Sequence, residues 1–132
     1  MSTTSFMRIR RSIPLILPLL LTLGLGAQAQ EVEIAKGLIC DTRQQVEQFV
    51  ALYDGNALDT AEKVNAAEHN PTACAVSGMA YVRGPGLATA RTNDTSFQIV
   101  PILVLGLVTE NGIQPVAPAR YFSAIQIKEI SV

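Results

Sequence analysis

Two cysteines, Cys40 and Cys74, constrain this chain more than any other feature. Two thiols allow one intrachain pairing, and bridging them would close a loop of about 35 residues at its base. Whether the bridge forms depends on the compartment, because thiols stay reduced in the cytosol and oxidise outside it. The N-terminus bears on that question. Arg8, Arg10 and Arg11 form a basic patch, an apolar run extends from Ile13 to about Gly26, and Ala27 and Ala29 occupy the small-residue positions of a cleavage site. That order of basic, apolar and small residues is a secretory signal peptide. It predicts a signal over residues 1–29 and a mature chain of Gln30 to Val132, periplasmic or secreted. The apolar run is shorter than a membrane span needs, and Pro14 and Pro18 interrupt it, so no stable membrane anchor is predicted after cleavage.

Export turns the cysteine pair into a predicted disulfide. The mature chain of residues 30–132 makes a single small domain whose hydrophobic core is modest. Closing a loop of this length contributes roughly 3 to 4 kcal/mol in the chain-entropy picture. That is a large share of the ~5 to 15 kcal/mol that holds a typical domain folded. Losing the signal also removes three arginines, leaving seven basic and eleven acidic groups and a net charge of −4. A domain with that balance and no basic cluster is a poor match for nucleic acid.

Periodicity predicts helices first and strands after. Asp41 and Thr42 are both suited to cap a helix start, and Val46, Phe49, Val50 and Tyr53 recur at i, i+3, i+4 and i+7. This predicts a helix over 42–53, closed by Asp54-Gly55-Asn56, with "QEVEIAK" (30–36) before it as a short leader that could extend into a first strand through "GLIC". "ALDTAEKVNAAEH" predicts a second helix with Leu58, Ala61 and Val64 facing inward, ending before Asn70-Pro71. From Ala73 onward strands alternate with turn signals at Gly84-Pro85-Gly86, Asn93-Asp94 and Asn111-Gly112. Asn111-Gly112 predicts a tight two-residue hairpin with both residues at positive φ. The unbroken apolarity from Ile99 to Val108 predicts a central strand covered on both faces. Pro101, which has no amide to donate, predicts a bulge or edge there. The fold class is α+β: two N-terminal helices packed on an antiparallel β-meander of about four to five strands, with one disulfide.

The residue types that carry chemistry are sparse. A cysteine nucleophile at Cys40 or Cys74 with His69 as base would make a cysteine-dependent enzyme, but it needs a free thiol, and His69 lies in a polar turn. No metal-ligand spacing, phosphate-binding glycine loop or G-x-S-x-G elbow is present, so no cofactor and no metal are predicted. The reading is a non-enzymatic exported domain that binds an unknown protein or envelope component.

Two resemblances add to this reading. Ser77-Gly78-Met79-Ala80-Tyr81 has the form S-G-x-x-Y, which resembles a motif of periplasmic inhibitors of C-type lysozymes. In that family the serine enters the lysozyme cleft, so the resemblance implies Ser77 and Tyr81 as binding residues of a protein inhibitor. The inhibitors are all-β barrels, however, and their tyrosine–lysine motif is missing near Tyr121. More broadly, "GLICDTRQQVEQFVALYDG", "VNAAEHNPTAC" and "VAPARYFSAIQIKEI" look like segments of small, uncharacterised exported proteins of rhizobium-like Gram-negative bacteria. That resemblance implies export and carries no activity.

Overall fold

A computed structural model describes residues 31–128, so the predicted signal peptide lies outside the described residues. In chain order the elements are β1 (Val32–Cys40), α1 (Arg43–Leu52), α2 (Ala57–Glu68), β2 (Cys74–Arg83), β3 (Ala88–Thr92), β4 (Thr95–Thr109) and β5 (Gly112–Ile127). Two helices pack on a five-stranded antiparallel sheet, the predicted class. One strand more than a bare leader precedes the helices.

Local chemistry explains both helices. Of the two candidate caps, Thr42 takes the position: its Oγ1 accepts from the Gln45 amide (3.2 Å), while Gln45 Oε1 accepts from the Thr42 amide (3.0 Å). This reciprocal capping box satisfies two amides left over at the helix start. The Gln45 side chain then donates to Glu68 on α2 (3.2 Å), tying the two helices together. In α2, Asn56 Oδ1 accepts from the Asp59 amide (3.0 Å), and His69 closes the helix in the left-handed region (φ 54°). Thr60, Ala61 and Val64 form its buried stripe, whereas Leu58 is 57% exposed rather than inward-facing. The stripe lies a little further round the helix because Thr60 fits beneath it, its hydroxyl donating to the Asn56 carbonyl (2.8 Å).

The sheet departs from a plain meander. β2 pairs with β1 along its whole length, from Val32↔Val82 to Cys40↔Cys74, and the helices cross over between the two strands. β2 also pairs with β4, from Met79↔Leu107 to Arg83↔Ile102, and β3 takes the next stretch of the same β4 edge, from Ala88↔Ile99 to Thr92↔Thr95. Gly84-Pro85-Gly86 is therefore a kink between two strands lying end to end, not a reversal. The Gly84 amide donates to the Pro101 carbonyl (2.8 Å) and the Leu87 amide to Ile99 (2.8 Å), so the chain keeps hold of β4 through the kink. Only glycine fits at position 84, because a Cβ there would lie 2.8 Å from the Pro101 ring.

Two further expectations are corrected. The register of β4 on β5 runs unbroken through Pro101↔Phe122, and the irregularity falls between Val104 and Gly106 instead. Pro101 needs no bulge because its carbonyl alone serves the neighbouring edge. At the hairpin, Thr109 pairs with Gly112, so Glu110-Asn111 are the central residues. Gly112 has φ 102° and Asn111 is not among the positive-φ residues, so the two-residue turn sits one residue earlier than predicted and Gly112 opens β5. Thr109 Oγ1 accepts from the Asn111 amide (3.2 Å) and donates to the Gly112 carbonyl (2.9 Å), which fixes that geometry.

β4 is covered on both faces, as its apolarity predicts. Phe97 and Ile99 join Leu38, Val46, Phe49, Val50, Ala61 and Val64 beneath the helices. Val100, Ile102 and Val104 join Met79 and Tyr81 in a second cluster on the other face. Since β2 pairs β1, β1 meets β5, β5 pairs β4 and β4 returns to β2, the four long strands follow a closed path. The path has one weak link. β1 and β5 pair only at Cys40↔Phe122.

Candidate functional site

That weak link makes the site. Beyond Cys40 and Phe122 the strands part, and the gap between them opens into a slot of about 480 Å³. One wall is β1 from Glu33 to Leu38, and the facing wall is β5 from Ser123 to Gln126. Its depth reaches both core clusters, touching Phe49, Tyr53, Val76 and Phe97 under the helices and Met79 and Tyr81 on the other face. A volume of this size, mostly apolar with a few polar groups converging on it, is what small-molecule sites present.

The aromatic wall is built from the predicted helical stripe. Phe49 and Tyr53, one turn apart on and just beyond α1, have ring centroids 5.7 Å apart. Both pack edge-on to Phe97 of β4, at 6.2 and 5.0 Å. Edge-to-face packing fixes ring positions and leaves a rigid apolar surface.

The polar end is a trio spanning β1 and β2. Arg83 donates to both oxygens of Glu33, through Nε (3.0 Å) and Nη2 (2.7 Å), and the Tyr81 hydroxyl donates to Glu33 Oε1 (3.3 Å). Register explains the grouping: Glu33 lies opposite Tyr81, and Arg83 lies two residues further along the same strand. The hydrogen bonds from Arg83 hold the Glu33 carboxyl below its ordinary range. Burial, then the negative charge of Glu33, pushes the Tyr81 phenol up. The hydrogen bond to Glu33 raises Arg83 as well. Each ion stays charged near neutral pH, so the trio is a hydrogen-bonding wall and not a proton shuttle. Lys36, exposed on the β1 wall, makes no ion pair with a described residue.

The sequence-predicted residues distribute as follows. Cys40 and Cys74 are bonded to each other, with Cα atoms 4.1 Å apart, as directly opposed residues of β1 and β2. Both sulfurs are consumed by the bridge, and His69 serves as the α2 cap. Tyr81, 5% exposed, lines the slot. Ser77 does not: it sits in mid-strand opposite Gly37, and its hydroxyl donates to the Gly78 carbonyl (3.0 Å). By alternation Ser77 and Tyr81 share one face of β2, four residues apart, but only Tyr81 reaches the slot.

Asn65 was not visible as a structural residue in the sequence. Its side chain holds the buried Cys74 by both backbone groups, accepting from the amide (2.7 Å) and donating to the carbonyl (3.0 Å), and it also donates to the Pro71 carbonyl (3.0 Å). An asparagine amide here does the work of a neighbouring strand. A polar residue in a helix gives no local sign of such a distant partner. No protein-family model, curated protein or solved structure shows significant similarity to this chain. Among the described residues no helix is long and apolar enough to cross a membrane, and no group of three or more His, Cys, Asp or Glu gathers as a metal site would.

Proposed function

We propose that this chain is an exported, non-enzymatic binding domain, periplasmic or secreted, and that a small ligand with an apolar body seats in the slot between β1 and β5. The observation that carries the reading is the parting of β1 from β5 after a single pair, beside a 480 Å³ space whose lining includes Phe49, Tyr53 and Phe97. The ligand is a free small molecule or an exposed group of an envelope component. Export is supported by the signal-like N-terminus and by the likeness of three segments to small exported proteins, and the disulfide fits an oxidising compartment. The absence of enzymatic activity is supported by the bridging of both cysteines and by the charged, mutually neutralising trio at the slot's polar end.

The test uses Nile red, an uncharged dye that brightens in apolar surroundings, titrated into the oxidised protein. Saturable enhancement is expected. Ala35→Trp, an exposed position on the slot wall, places a large ring across the opening and should abolish it with little change in thermal midpoint. Equal enhancement in the variant, or none in the native protein, would contradict the assignment.

A further inference from the structure

The charges around the slot specify the ligand more closely. Three ionic side chains line it: Glu33, Lys36 and Arg83. Glu33 and Arg83 satisfy each other through two parallel hydrogen bonds, so a ligand gains nothing from either without first separating them. Lys36 is left as the uncompensated charge, and the slot wall carries a net +1. This stands out in a mature chain of net −4. A desolvated cleft concentrates the field of the charge on its rim, so the sign at the rim selects among ligands with the same apolar body.

From these observations, and resting on the slot assignment above, we infer that the ligand is a single-chain amphiphile with one negative charge, a carboxylate, whose apolar chain lies against Phe49, Tyr53 and Phe97 and whose head meets Lys36. One ammonium balances one negative charge; a dianionic head would leave a charge uncompensated. Gln126, exposed on the facing wall, supplies a polar group at the same opening. A cationic head is disfavoured by the same field. A neutral head of equal chain length binds through the apolar walls alone.

Three ten-carbon probes separate these cases by displacement of Nile red from the oxidised protein: decanoate, decanol and decyltrimethylammonium. Decanoate should displace the dye at about three- to fivefold lower concentration than decanol, the advantage an exposed ion pair confers. Decyltrimethylammonium should be weaker than decanol. In Lys36→Gln, a surface change that leaves the fold intact, decanoate and decanol should become equal. Equal displacement by decanoate and decanol in the native protein would leave the slot standing and overturn the carboxylate assignment, as would an anion preference that survives Lys36→Gln. Displacement by none of the three would overturn the slot assignment and this inference together.

Discussion

The two ends of β1 are held by different kinds of interaction. At Cys40 the strand is bonded covalently to β2, paired to β5 at Phe122, and continued by the Asp41 amide donating to the Ala73 carbonyl (3.0 Å). Asn65 holds the opposing Cys74 in place, and Cys40, Ala73 and Cys74 are buried. At the other end Val32 and Ile34 are more than half exposed, β5 is no longer a partner, and the Glu33–Arg83–Tyr81 trio reinforces the pairing with β2. A covalent anchor beside a polar fastening lets one end of a strand frame a cleft while the other end bears the load of the fold. Stability rests on the Cys40 end, and the proposed ligand enters at the Glu33 end.

The largest effect should come from the anchored end. Cys40→Ala/Cys74→Ala should lower stability by roughly 2 to 5 kcal/mol, read as a shifted denaturation midpoint and matched by reduction of the native protein. A loss under ~1 kcal/mol would mean that the Cys40 end is not the anchor. Next comes Asn65→Ala, which strands the buried amide and carbonyl of Cys74 and should cost about 1 to 3 kcal/mol with the disulfide intact.

The open end should respond less. Glu33 and Arg83 keep more than a third of their side-chain surface in water, so Glu33→Gln should cost under ~1 kcal/mol. Its informative readout is local: faster hydrogen exchange confined to residues 32–36. Destabilisation larger than that of Asn65→Ala would reverse the comparison.

The smallest effect concerns acid. Hydrogen bonds to Asp54, from Lys63 first and then from the Asn56 amide and Thr60, lower its pKa from 3.8 to about 2. A carboxylate with a lowered folded pKa contributes stability that is present above its ordinary value and lost as pH falls through the folded one. Asp54→Asn should therefore flatten the loss of stability between about pH 4 and pH 2 and lower stability at pH 7 by the same amount, a small one because Asp54 is solvent-exposed.

Much of this fold was legible in the chain because it is local. The Thr42 cap, the Val46–Tyr53 stripe, the strand from Cys74 to Arg83 and the bridge each rest on residues close in sequence or on a pairing with one solution. The Gly84-Pro85-Gly86 kink was misread because proline and glycine report that a strand is interrupted, not whether the chain then reverses. The turn before Gly112 was misplaced by one residue because Asn-Gly fits more than one hairpin geometry, and the register of β4 on β5 decides between them. The slot was illegible for a stronger reason. It is defined by pairs that do not form between strands more than eighty residues apart, and no local pattern records where two strands part company.

The central claim is that β1 turns an unpaired edge to the slot, and hydrogen exchange tests it residue by residue. The close approach of Cys40 and Cys74, flanked by the Asp41–Ala73 hydrogen bond, marks a pair that does not share backbone hydrogen bonds. By alternation, Glu33 and Ala35 bond to β2, while the amides of Ile34 and Lys36 face away from it into the gap. In native-state exchange followed by NMR, Ile34 and Lys36 should exchange much faster than Glu33 and Ala35, giving an alternating pattern along the strand. Equal protection of all four would mean that β1 is zipped to β5 throughout and that no slot exists.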